Sequence, residues 1–237
     1  MIESFSLRID SLEDERLIRI YLPESYKNSA ERYPVLYMHD GQNVFRDETA
    51  IDGVSLNLER YLEEKALRVI VVAVNQNSTE RKNEYCPWPN GEYSTKFLAD
   101  PTVSFGGKGK QYIEFIVNQL KPYIDKTYRT MEDQTAMAGI SMGGLISAYA
   151  ALQYPNVFKD IAILSSAFYA NQEEMEKLAE NADLSKMNRI YMDCGTDEAG
   201  EGTLISKRFL LSNKAFYEKI KGKVPNSHFV TIKNGQH

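Results

Sequence analysis

Cysteine is nearly absent: Cys86 and Cys194 are the only two in 237 residues. Their spacing excludes a C-x-x-C redox pair and a thiolate metal cluster. A chain of this length buries enough apolar surface to need no disulfide framework, so both are expected to be reduced thiols. Histidine is as scarce, with His39, His228 and His237 alone and no H-E-x-x-H pair. No metal ligand set is visible, and no cofactor is expected. Long apolar runs are missing too. None approaches the roughly 20 residues of a membrane-spanning helix, and the opening MIESFSLRIDSLEDERLIRIYLP has no secretory apolar core. Membrane association is therefore not expected, and the cytoplasm is the expected compartment. Basic charge is in deficit, 28 Lys+Arg against 33 Asp+Glu with the two signs interspersed, so nucleic acid is not an expected partner. G-G-K-G-K at 106–110 falls short of a phosphate-binding loop.

What is present is the composition of a globular enzyme, 43% hydrophobic and 26% charged. FSLRI (5–9) and LIRIYL (17–22) flank a polar stretch and predict an antiparallel opening pair. YPVLYMHD and RVIVVAVN are more continuously apolar, as strands covered on both faces are. VSLNLERYLEEK between them reads as a crossover helix. GKQYIEFIVNQLKPYI places Ile113, Ile116, Val117 and Leu120 at helical spacing. TAMAGI, KDIAILSS, RIYMDCG and HFVTIKNG continue the strand series, and helical candidates separate them. The expectation is an α/β fold of about eight mostly parallel strands flanked by helices. It forms one domain over 1–237, with residues 75–108 as an excursion shaping a site rim. Nothing in the sequence sets an oligomeric state.

The chemistry concentrates at TAMAGISMGGL, where Gly139 to Gly143 spell G-x-S-x-G between a predicted strand and a predicted helix. A sharp turn there exposes Ser141 Oγ, and the two glycines leave room for the backbones to meet. Gly144, Ser147, Ala148 and Ala151 give the following helix a narrow face for close packing. A serine hydroxyl attacks a carbonyl only with a base at hand. In the Ser, acid, His order of such folds His237 is the base, because His228 opens the last strand at its far end and His39 precedes the serine. The acid belongs in CGTDEAGEG: Asp197 and Glu198 both fit, with Glu201 a weaker third. The N–H of Met142, next to the nucleophile, is one expected oxyanion donor. Tyr85, Trp88, Tyr93 and Phe97 of the excursion, with Phe105 and Gly106-Gly107 beyond, form a candidate aromatic substrate rim or ordinary loop packing. Lys108 and Lys110 either attract an anionic substrate or mark a solvated helix entrance.

YPVLYMHDGQNVF, TAMAGISMGGLISAYAALQYPNVF and RIYMDCGTDE together resemble segments of the Putative esterase family of α/β hydrolases, including its enterochelin-esterase-like and feruloyl-esterase-like branches. The resemblance covers nearly the whole chain. It implies an α/β-hydrolase fold, a serine, acid and histidine set, and cleavage of carboxylic esters. Within the acid-rich turn it selects Glu198, the second residue after Gly-Thr. It also maps the oxyanion region to HDGQNVF, with Gly41 as contributor, Gln42 as the alternative, and His39 and Asp40 as structural support. Members continue past the histidine with acidic and aromatic helix residues, whereas this sequence stops at GQH; whether a continuation after 237 is missing stays open. The implied activity is hydrolysis of a small ester, aryl or hydrophobic, through an acyl-serine. Acyl transfer by the same nucleophile and noncatalytic binding on the same scaffold are the alternatives.

Overall fold

The computed structural model describes residues 1–237. Eight strands form one sheet in the order β1-β2-β4-β3-β5-β6-β7-β8. They are β1 (Ile2–Ile9), β2 (Asp14–Tyr21), β3 (Tyr33–Met38), β4 (Ile70–Val74), β5 (Thr130–Ile140), β6 (Asp160–Leu164), β7 (Arg189–Gly195) and β8 (Asn226–Ile232). Helices lie between them in sequence: α1 (Leu58–Glu64), α2 (Arg81–Glu84), α3 (Glu92–Leu98), α4 (Gly109–Phe115), α5 (Lys121–Thr127), α6 (Met142–Gln153), α7 (Gln172–Asn181) and α8 (Leu204–Ile220). This is the mixed, mostly parallel α/β-hydrolase arrangement expected from the sequence. No helix is long and apolar enough to cross a membrane.

The chain divides into two compact units, Met1–Arg81 with Glu114–Met137, and Lys82–Ile113 with Ala138–His237. In the first, β1 pairs antiparallel with β2 from Ile2 opposite Tyr21 to Ile9 opposite Asp14. β2 then pairs antiparallel with β4, and β4 runs parallel to β3. All five β4 residues are buried, which explains the unbroken apolar run IVVAV. Gly41, just after β3, approaches β4 so closely that a Cβ would stand 2.7 Å from Ala73 O. Between α4 and α5 the helix is wound as a π-turn over Ile116–Leu120. The single helix read from apolar spacing thus carries a bulge that periodicity does not reveal.

In the second unit β6, β7 and β8 are parallel. α6 is buried on every side from Met142 to Leu152, as its nearly all-apolar sequence requires, and Gly144 on its narrow face comes so near β6 that a Cβ would stand 3.3 Å from Leu164 O. The excursion folds as the short helices α2 and α3 and a bridge between Pro89 and Gly106. Asn171, buried at the start of α7, holds it: Trp88 N–H donates to Asn171 Oδ1, and Asn171 Nδ2 donates to the Trp88 and Pro89 carbonyls. Glu173 Oε1 accepts Tyr93 N–H at 2.6 Å, where α3 begins and its N–H groups lack intrahelical acceptors.

Candidate active site

Ser141 sits between β5 and α6 with φ 60° and ψ −122°, a conformation costly for any residue with a Cβ. Four hydrogen bonds hold it there. Its N–H donates to Leu164 O at 3.0 Å, and its carbonyl accepts from Gly144, Leu145 and Ala167 N–H. Glycine at 139 is required sterically, since a Cβ would lie 2.1 Å from Gly143 O. Met142 begins α6, so its N–H has no carbonyl four residues back to bond within the helix.

The acid-rich turn after β7 separates its carboxylates. Glu198 is buried, and its Oε1 accepts Gly195 N–H at 2.6 Å and the Ser165 hydroxyl at 2.6 Å. Its Oε2 stands 2.7 Å from His237 Nδ1. Burial pushes the Glu198 carboxyl up. The hydrogen bonds from His237, Ser165 and Gly195, with the His237 charge, outweigh that and hold it below its ordinary value. Asp197 is committed elsewhere: Oδ2 accepts from Thr196 Oγ1 and Oδ1 from Gly202 N–H. Its own N–H donates to Gly235 O at 2.9 Å. Glu201 is exposed.

His237 is reached through a tied loop. Thr196 N–H donates to Ile232 O, Asn234 N–H to Thr196 Oγ1, and Gly235 N–H to Ile232 O. Gly195 admits this loop, because a Cβ on it would meet Gly235 O at 2.2 Å. Phe209 of α8 packs edge-on against the imidazole with centroids 5.7 Å apart.

Ser141, Glu198 and His237 line one cavity of about 330 Å³, walled by Phe97, Leu98, Tyr169, Ala199, Ile205 and Phe209. Phe97 and Tyr169 stack nearly parallel at 4.1 Å. Of the aromatics singled out in the excursion, Phe97 alone lines it. Tyr85 is fully buried against Tyr112, Trp88 stands edge-on to Tyr149 beneath Lys110, and Tyr93 stacks behind Phe97. Phe105 is buried, Gly106 and Gly107 both have positive φ, and Lys108 is exposed.

In the first unit, the Gln42 side-chain oxygen accepts Gln76 N–H at 3.0 Å. Asp40 takes φ 55° and is gripped bidentately by Arg81. His39 is buried, and desolvation followed by the Arg81 charge pushes its ring down to about 3, leaving it neutral. His228 is exposed on β8. Tyr169, Phe209 and Ser165 escaped sequence reasoning. The available signal was position: Ser165 follows β6 directly, at the carboxyl end of a parallel strand where open α/β sheets place their ligands.

The Putative esterase family model matches residues 9–233. The chain belongs to that family. It is therefore a carboxylic-ester hydrolase. It is 30% identical over 214 residues to "Uncharacterized protein YbbA" of Bacillus subtilis (strain 168), spanning 88% of this chain and 79% of that one. It is 26% identical to an endo-1,4-beta-xylanase/feruloyl esterase of Xylanibacter ruminicola, over 77% of this chain and 23% of that protein. Among solved structures, an IroE-like serine hydrolase from Shewanella oneidensis superposes with a TM-score of 0.78 at 21% identity, covering 99% of this chain and 74% of that one. At that identity the match speaks for the fold.

Proposed function

We propose that this esterase works through Ser141 as nucleophile, His237 as general base and Glu198 as the residue that orients the imidazole. One observation carries the reading: all three line the same cavity while Glu198 Oε2 lies 2.7 Å from His237 Nδ1. A proton on Nδ1 donated to the carboxylate leaves Nε2 as the acceptor for the serine proton. Ser141 Oγ then bonds to the ester carbon as its proton passes to Nε2. The carbon–alkoxide bond breaks, the leaving alcohol takes that proton, and an acyl-serine remains. Water repeats the sequence in reverse and frees the acid.

Negative charge on the carbonyl oxygen is met by the Met142 N–H, a contribution of about 3 kcal/mol for one well-placed donor. The family resemblance assigns the second donor to Gly41, with Gln42 the alternative. Apart from Glu198 and His237, the lining carries no charged side chain. The substrate is accordingly a small, uncharged hydrophobic or aryl ester. One domain over 1–237 and a cytoplasmic setting complete the reading. The two buried thiols, Cys86 and Cys194, support that setting.

Ser141→Ala is the direct test. Turnover of a neutral chromogenic ester should fall by at least three orders of magnitude with the melting curve little changed. Retained turnover in the folded variant contradicts the assignment. Adding alcohols during turnover of the native protein separates hydrolysis from acyl transfer, the latter producing new esters.

A further inference from the structure

We infer that Ser165 is a positioning residue for this esterase: its hydroxyl sets the orientation and charge of Glu198, and through Glu198 the imidazole of His237. The inference rests on the roles proposed above for Ser141, His237 and Glu198.

A carboxylate that orients a catalytic imidazole must present one oxygen to the ring and be prevented from turning. In this site the two oxygens are divided. Oε2 faces His237 Nδ1 at 2.7 Å. Oε1 is held from two elements at once, by Gly195 N–H at the end of β7 and by Ser165 Oγ at the end of β6, each at 2.6 Å, with Cys194 Sγ farther off at 3.7 Å. Beside His237 itself, the Ser165 hydroxyl is what fixes the carboxylate from outside its own strand and turn.

Ser165 is itself built for the task. It is one of the few non-glycine residues at positive φ, here 40°. Its N–H donates to Asp193 O at 3.0 Å and approaches Asp193 Oδ1 at 3.3 Å. The next residue is clamped to α8, Ser166 N–H donating to Asn213 Oδ1 and Asn213 Nδ2 to Ser166 O at 2.7 Å. A strained conformation persists only where its surroundings overdetermine it. The result of this one is to aim the hydroxyl at Glu198.

The groups that act on the Glu198 charge are few. His237 favours it. On β7 the Glu198 charge acts outward, adding to the burial that raises the Asp193 carboxyl. The Cys194 thiol is held neutral by burial first and by Glu198 second, and Lys214 of α8 acts on that thiol. Against burial, the Ser165 hydroxyl is one of three hydrogen bonds keeping the carboxylate ionised. Without it, protonation of Glu198 moves to higher pH and the imidazole loses its negative partner there.

The test compares wild type, Ser165→Ala, Ser165→Gly, Glu198→Gln and the S165A/E198Q double variant. kcat and KM for a neutral chromogenic ester are measured from pH 4 to 9. Glycine accepts positive φ without strain, so S165G removes the hydroxyl even if S165A folds poorly. In both single variants kcat is expected to fall about tenfold with KM nearly constant, as for a lost hydrogen bond to a charged group. The acid limb of kcat/KM should move upward. In the E198Q background, S165A should change kcat less than about twofold, because the hydroxyl acts through the missing charge. Wild-type rate and pH profile in folded S165G would overturn the role of Ser165 alone, as would an equal tenfold loss with and without Glu198. Full activity of E198Q would overturn the parent assignment and this one with it.

Discussion

Gly195→Ala tests how closely the His237 loop must seat. The added Cβ would stand 2.2 Å from Gly235 O, 2.6 Å from Gly235 C and 2.9 Å from Glu198 Oε1. Ordinary carbon–oxygen contacts begin near about 3.3 Å, so the Gly235 carbonyl must retreat by roughly 1 Å. That carbonyl accepts the Asp197 N–H at 2.9 Å, so the bond tying the loop to the acid turn stretches with it. Gly195 does not have positive φ, so the methyl group acts through space rather than through backbone strain. Overpacking of this kind costs about 1–3 kcal/mol of stability. A misplacement of about 1 Å in a catalytic group costs about a hundredfold in rate. A hundredfold corresponds to about 2.7 kcal/mol in the barrier. The assay is kcat/KM on a p-nitrophenyl ester per mole of folded protein, with urea unfolding followed alongside. A large rate loss in a protein that still melts cooperatively is expected. Wild-type kcat/KM in folded G195A would show that the 235–237 loop need not lie against β7 for catalysis.

Two further outcomes follow from the same contacts. Glu198→Gln keeps the shape but removes the charge facing His237 Nδ1, so kcat should drop by two orders of magnitude or more. Asp197→Asn should leave the chemical rate within about threefold and lower stability by about 1 kcal/mol, because its carboxylate serves Thr196 and Gly202. A large rate loss in D197N with E198Q unimpaired reverses the two roles. In the first unit, a hydrogen bond from Asn77 leads the interactions that hold the Asp14 carboxyl at about 2, and burial opposes it; Arg16 adds a further hydrogen bond. A depressed carboxyl stabilises the fold fully above its unfolded value of 3.8 and loses that contribution as pH falls toward 2. The gap in urea midpoint between wild type and Asn77→Ala should therefore be widest near neutrality and narrow between pH 4 and 2. A gap independent of pH refutes the linkage.

What was legible in the sequence is what local sterics dictate. The elbow is written in residues 139–143 because Gly139 and Gly143 touch each other across the turn, a constraint contained in five consecutive residues. The β1–β2 pair could be read because its alternation and its connection are local. The choice between Asp197 and Glu198 could not be read from the residues alone. It turns on Ser165, 33 positions away in sequence, and on whether Thr196 and Gly202 engage the first carboxylate. The cavity wall was hidden for the same reason. Phe97, Tyr169 and Phe209 converge from α3, the turn before α7, and α8. Of the aromatics clustered in sequence near residues 85–93, Tyr85 packs on Tyr112 and Trp88 on Tyr149 of α6 instead. Periodicity likewise could not show the π-turn at Ile116–Leu120, whose apolar residues satisfy either winding.

The most direct measurement of the central claim is covalent capture. A serine-directed aryl phosphonate is incubated with the protein, and the adduct is located by intact mass and peptide mapping. One equivalent should add, on Ser141 alone, and E198Q should slow the addition by about as much as it slows turnover. Labelling elsewhere in the chain contradicts the assignment of Ser141 as the nucleophile, as does no labelling of a preparation that turns over ester.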